Sequence, residues 1–217
     1  MFLRFARLAA CAIAVAAGPA AAKPIAFANS NTVMVERGAG TMAELQFFHA
    51  PRYWYSLGGG SVAYAASDGS FDRRVDYLRG NLLVLRWNMP AAQANVFAWG
   101  GFGSARGDGV ADGSFAWNGG FQLDYETRRV YASLRADQQE GDGFSHRVDT
   151  LQLGWAPYQH DYESVATWLV VQGRDYTGGV MPGVEWALLL RLFKGGAWIE
   201  AGLTDDGRVQ AMAMFNF

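Results

Sequence analysis

Residues 184–217 read VEWALLLRLFKGGAWIEAGLTDDGRVQAMAMFNF. Val184, Trp186, Leu188, Leu190 and Leu192 fall on one face of an extended chain, with Glu185 and Arg191 on the other. Ile199, Ala201 and Leu203 likewise oppose Glu200 and Thr204. Val209, Ala211, Ala213, Phe215 and Phe217 oppose Arg208, Gln210, Met212, Met214 and Asn216. A period of two marks β-strands, because successive side chains leave a strand on opposite faces. Gly195-Gly196 suits a two-residue turn in which both glycines take positive φ, and Asp205-Asp206-Gly207 a three-residue loop ending in a left-handed glycine. These turns pair Phe193 with Trp198, Arg191 with Glu200, Thr204 with Arg208 and Glu200 with Met212. Each pairing sets residues of the apolar stripe against that stripe or residues of the opposite face against that face, and a one-residue slip destroys that agreement.

The same alternation runs back to residue 31. Phe115, Trp117, Phe121, Leu123 and Tyr125 oppose Asn118, Gln122, Asp124 and Glu126; Val130, Ala132, Leu134 and Ala136 oppose Tyr131, Ser133, Arg135 and Asp137. Twelve strands are expected, over 31–37, 41–49, 53–66, 72–87, 95–105, 114–126, 129–138, 145–156, 163–173, 181–194, 197–204 and 208–217, with ten as the alternative. The faces are ambiguous in 53–66, 72–87, 95–105 and 163–173, where Gly58-Gly59-Gly60 and Gly100-Gly101 are read as bulges that reset the alternation. A turn at Thr127-Arg128 pairs Glu126 with Arg129. A turn at Gly38-Ala39-Gly40 pairs Glu36 with Met42 and Met34 with Glu44.

Composition narrows the class. The chain has 217 residues, 51% apolar and 18% charged, which excludes disorder. Its 27 glycines show no Gly-X-Y period. The net charge is −2, and −4 once Arg4 and Arg7 are set aside, so nucleic acid is not an expected partner. Residues 1–22 have the pattern of a secretory signal peptide: Arg4 and Arg7, an apolar core from Leu8 to Ala17, and Ala20-Ala21-Ala22 before cleavage at Lys23. The rival reading, a lipoprotein box ending at Cys11, fails because the apolar stretch follows that cysteine. Cleavage removes the single cysteine, and with it any disulfide or thiolate chemistry. Residues 23–30 are then a periplasmic segment and 31–217 the folded body. No later run of about 18 apolar residues offers a transmembrane helix.

Alternation alone fits two architectures. A soluble β-sandwich, here a periplasmic binding module, buries the apolar face. A membrane barrel turns that face to lipid and the polar face to its lumen. Aromatic residues crowd the strand ends at Tyr53, Trp54, Tyr55, Trp87, Tyr125, Trp155, Tyr158, Phe193, Trp198, Phe215 and Phe217, as in interfacial girdles. The Asp-Gly pairs at 68–69, 108–109, 112–113, 142–143 and 206–207 fall at one end, read as extracellular, and the tight turns at the other. The chain closes on an aromatic strand. With its signal peptide, alternating strands and terminal Phe217, it resembles the outer-membrane β-barrel proteins of Gram-negative bacteria. The resemblance covers residues 31–217 as an architecture. It implies an all-β, single antiparallel up-and-down transmembrane barrel with short loops, outer-membrane lipid as surroundings, and the barrel-assembly machinery as a partner that reads Phe215 and Phe217.

Candidate chemistry lies on the polar face. Glu36, Glu44, Asp124, Arg135, Glu185, Arg191 and Glu200 form an expected lumenal charge network, which either locks the barrel or lines a narrow pore for small polar solutes. Met34, Met42, Met212 and Met214 face the lumen on the first two and last strands. They are a candidate Cu(I) site, since thioethers are soft ligands, with gap-filling as the alternative role. No organic cofactor is expected. His49, His146 and His160 are the only histidines. Ser145-His146-Arg147 with Asp142 and Asp149 matches no hydrolase spacing, so no catalytic residue is assigned. The Asp-Gly pairs lack the nonapeptide period of calcium-binding repeats and are read as turns.

Overall fold

A computed structural model describes residues 27–159 and 164–217. The leader at 1–22, Lys23 and His160 lie outside the described residues. The chain forms twelve strands: β1 (Ser30–Gly38), β2 (Met42–Arg52), β3 (Tyr55–Ala65), β4 (Asp72–Met89), β5 (Ala92–Gly107), β6 (Val110–Thr127), β7 (Val130–Gly141), β8 (Phe144–Trp155), β9 (Ala166–Tyr176), β10 (Val184–Lys194), β11 (Ala197–Thr204) and β12 (Val209–Asn216). Each pairs antiparallel with its sequence neighbours, and β12 returns to β1, so the sheet is a closed up-and-down barrel. Twelve strands, rather than ten, is therefore the correct reading.

The two faces differ sharply in burial. On β10, Trp186 and Leu188 are 48% and 60% exposed, while Glu185 and Arg191 between the same strand ends are 1% and 4% exposed. Apolar side chains clothe the outer wall of every strand pair, and polar ones fill the lumen together with large aromatics. A soluble sandwich distributes them the other way.

The hairpins at the C-terminal end follow the expected registers, with Phe193 opposite Trp198, Arg191 opposite Glu200, and Glu200 opposite Met212. Gly207 has φ +81 as the three-residue loop requires. Only Gly195 of the Gly195-Gly196 turn is left-handed, at φ +58. Gly196 is needed for a different reason: a Cβ there would lie 2.2 Å from the Asn216 carbonyl oxygen on β12.

Two registers differ from expectation, each by two residues. Glu126 pairs with Tyr131, so the turn is Arg128-Arg129, and Thr127 Oγ1 accepts the N–H groups of Arg129 at 3.1 Å and Val130 at 2.8 Å. Gly38 pairs with Met42 and Glu36 with Glu44, because the turn is Ala39-Gly40-Thr41. Ala39 and Gly40 take φ of +47 and +92, and the Thr41 N–H and hydroxyl both donate to the Gly38 carbonyl. A two-residue shift preserves which face each side chain occupies, so alternation does not detect it.

The glycine runs are not bulges. Pairing continues without a break through Gly58, Gly59 and Gly60 and through Gly100 and Gly101. The register shifts lie elsewhere, between His49 and Arg52, Leu83 and Leu85, and Ala105 and Gly107. Val84 is the extra residue of β4; beyond it Val84 and Leu85 both point outward, which explains why 72–87 gave no single face. Asp112-Gly113 is not a turn but lies in β6, whose hairpin closes at Asp108-Gly109.

The two rims carry opposite charge. Among the described residues, the turns at one end, here the Asp-Gly end, hold Asp68, Asp108, Asp142, Asp205 and Asp206 against the single cation Arg208; the turns and strand ends at the end bearing the chain termini hold Arg52, Arg128, Arg129 and Lys194. The Ser70 hydroxyl and N–H keep the Asp68 carboxyl below the usual carboxylate range, as Thr204 and then Arg208 do for Asp206.

The two neighbouring glycines of β5 give a test of the wall. A Cβ on Gly101 would stand 2.1 Å from the Leu78 carbonyl oxygen, whereas one on Gly100 meets nothing within 4 Å. Gly101→Ala is expected to cost about 1–3 kcal/mol, as overpacking does. Gly100→Ala should stay within about 0.5 kcal/mol of the parent. Urea unfolding of the refolded protein, followed by tryptophan fluorescence, reads both.

Candidate functional site

The lumen is built from the inward positions of all twelve strands, and its side chains stack in levels. The middle level holds the densest charge. Arg79 on β4, Arg135 on β7 and Arg174 on β9 meet Glu36 on β1, Glu44 on β2 and Asp137 on β7. Arg174 binds Glu36 directly. Asp137 takes Arg135 at 2.8 Å and Arg79 at 3.6 Å. Tyr77 donates its hydroxyl to Glu44 at 2.5 Å. Glu36 and Glu44 stand directly opposite each other across β1 and β2. Such a like-charge pair is unfavourable alone; Arg174 offsets it from across the lumen and Tyr77 from β4, two strands away.

Arg79 is the most enclosed of these cations. Its guanidinium lies 5.0 Å from the Phe48 ring centroid, 5.1 Å from Tyr77 and 5.4 Å from Trp99. Aromatic faces attract a cation, and more strongly once it is desolvated. Gly58 and Gly101 flank Arg79 on the adjoining strands; a Cβ on Gly58 would come within 2.8 Å of the Phe48 ring, and one on Gly101 would strike the β4 backbone. Among Glu36, Glu44, Tyr64, Arg135, Asp137 and Arg174 remains a cavity of about 20 Å³, a space of the size one water needs.

Toward the terminal end, Arg191 lies between the rings of Tyr131 at 4.5 Å and Trp198 at 4.4 Å. It pairs with Glu200 at 3.1 Å and donates to Gln152 at 2.7 Å. The amides of Gln152, Gln172 and Gln210 continue the chain across β8, β9 and β12. On the opposite wall Asn95 donates to Asp124 at 2.6 Å and accepts from Arg86 at 2.7 Å.

Toward the Asp-Gly end the lumen is capped by rings. His146 is 1% exposed and stands beside Tyr64, Phe71 and Phe144. Its Nε2 accepts from Arg73 at 2.9 Å. Val180, from the connection between β9 and β10, is fully buried over this cap, and its carbonyl accepts the Ser67 N–H at 2.7 Å. Arg208 reaches Glu185 at 3.2 Å at the same end.

The seven expected lumenal residues all point inward, but they do not form one network. Glu36, Glu44 and Arg135 share the middle level; Arg191 and Glu200 form their own pair; Asp124 and Glu185 lie on separate walls. Arg79, Asp137 and Arg174 complete the middle level and were not singled out in the sequence. Asp137 already shared the Arg135 face there. Arg79 lies in 72–87, a segment of ambiguous face, and Arg174 lies one residue beyond the expected strand 163–173, inside the longer β9.

The methionines divide. Met34 pairs with Met214 across β1 and β12, and Met212 stands opposite Glu36 and Glu200. Met42 joins the cluster nearer the Asp-Gly end instead. Ser145 and His146 leave β8 on opposite faces: Ser145 is outside, where its hydroxyl accepts from Gln138 at 2.8 Å, and His146 is inside. Asp149 is outside too, paired with Arg147 at 2.8 Å. His49 contacts Asn31 at 3.0 Å on the outer wall. Among the described residues, no group of three or more His, Cys, Asp or Glu side chains is placed to hold a metal ion.

The middle level makes a stability test. Glu36→Gln leaves the Arg174 charge buried without its partner and should cost about 3–5 kcal/mol. Adding Arg174→Met removes the orphaned charge, so the double variant should unfold at higher urea than Glu36→Gln alone. A double variant no more stable than the single one would deny that the pair is coupled.

Comparison with known proteins returns no match: neither a protein-family model, nor a curated protein, nor a solved structure aligns with the chain.

Proposed function

We propose that the chain is an integral barrel of the bacterial outer membrane whose lumen is sealed, a structural or scaffolding barrel rather than a pore. One observation carries this reading. Charged side chains such as Glu185, Arg191, Arg79 and Glu200 are nearly fully buried, while Leu188, Leu203, Phe102 and Phe115 on the other face are at least 56% exposed. Exposing a continuous apolar wall to water is costly; a lipid surround removes that cost, and a closed sheet leaves no backbone group unpaired in hydrocarbon.

The sealed form is favoured over a narrow pore by what fills the lumen. The His146 cap links β8 to β3 and β4, the Arg79 level links β4 to β7 and β9 to β1, and the Arg191 level fills the β7–β12 side beyond them. A conducting path needs a continuous wet channel, and the cavity between Glu36, Glu44, Arg135 and Arg174 has room for about one water. The outer-membrane location and the signal peptide at 1–22 belong to the same proposal. So does engagement of the barrel-assembly machinery by β12, whose Phe215 and Phe217 rings stack with centroids 5.6 Å apart.

The test is refolding into a planar bilayer, with a heat-shifted gel band to report the folded barrel. Insertion without discrete conductance steps is the expected result. Discrete steps from folded protein would replace the sealed barrel with a pore. Recovery of the native protein as soluble periplasmic material would overturn the membrane reading altogether.

A further inference from the structure

Closure of the barrel decides where the methionines meet. The β1–β12 register sets Met34 directly against Met214 and puts Met212 one inward position further along. Met34 and Met214 are buried and Met212 is half-buried. Phe193 and Trp198 pack around them, with ring centroids 6.5 Å apart in an edge-on arrangement. Three of the chain's seven methionines therefore share one apolar cluster on the lumen side of the β1–β12 seam.

We propose that Met34, Met212 and Met214 form a three-thioether site for a soft monovalent cation, Cu(I) or its analogue Ag(I). The chemistry follows from the donors. Thioether sulfur is neutral and soft, so it selects Cu(I) and leaves hard divalent ions in water. No proton competes for it in the physiological range. The neighbouring carboxylates do not turn the pocket into a hard-ion site, because Glu36 is held by Arg174 and Glu200 by Arg191. Trp198 is fixed beside Met214 by its Nε1–H bond to Glu200 at 2.7 Å, which keeps the pocket wall in place whether or not a cation is bound. The site rests on the closed β1–β12 seam and is independent of whether the lumen conducts.

The test is competition for Cu(I) between the refolded full chain and bicinchoninate under anaerobic conditions, with the heat-shifted gel band confirming the fold of every variant. The parent protein should withdraw a single Cu(I) per chain. Met34→Leu, Met212→Leu and Met214→Leu should each weaken binding roughly 10-fold or more, and the triple variant should abolish it. Met42→Leu, in the other cluster, should bind as the parent does. Leucine conserves volume closely enough for the core to stay packed. As a second readout, Ag(I) should raise the urea midpoint of the parent and not that of the triple variant. A folded parent that leaves the chelator colour unchanged overturns the site, as does a triple variant that withdraws as much copper as the parent.

Discussion

Everything in this molecule depends on the seam between β1 and β12. Asn31 and Phe217 exchange both backbone hydrogen bonds there, at 2.7 and 2.9 Å. An open sheet of twelve strands has two edges with unpaired N–H and C=O groups, ready to pair with another chain. Closing it satisfies those groups and at the same stroke creates an inside. Glu36 and Arg174 lie on strands far apart in sequence and come together only across that inside. The charge levels, the ring cap and the methionine pocket are all consequences of closure.

The interior solves the problem of charge in a confined space by mixing two devices. Carboxylates take the arginines that can reach them, as at Glu36, Asp137 and Glu200. Aromatic faces take the rest of the guanidinium surface, as around Arg79 and Arg191. A buried ion pair gives little net stability over an apolar pair of similar volume. Its value here is specificity, because a barrel that slipped its register would strand a guanidinium among carbon atoms. The glycines on β3 and β5 belong to the same solution: they let strands and bulky neighbours approach where a Cβ would strike a carbonyl oxygen.

Much of this was legible in the sequence, and the boundary of legibility has a physical cause. Inside or outside is a question of parity, and side-chain alternation answers it wherever the strand is regular. Alternation alone puts Glu185, Arg191 and Glu200 inside. Level along the axis is a question of register, and a shift of two leaves parity intact. The expected turns at Thr127-Arg128 and Gly38-Ala39-Gly40 each lie one residue early, which shifts the register by two and hides the facing pair Glu36 and Glu44. Parity itself failed at β4, where the bulge at Val84 inverts it without any glycine or proline to announce the change. The methionine pocket needed the β1–β12 register, a contact between the two ends of the folded sequence that no turn encodes.

The opposed rims have a consequence of another kind. Among the described residues, an excess of aspartates at one end and Arg52, Arg128, Arg129 and Lys194 at the other give the barrel a dipole along its own axis. A charged molecule arriving from solution meets a sign that depends on which mouth it approaches, and clefts focus such fields. Cations gather at the aspartate rim and anions at the arginine rim. Two copies side by side and parallel repel through their rims, whereas a head-to-tail stack brings unlike rims together. The molecule is thus polarised for orientation before any partner is considered.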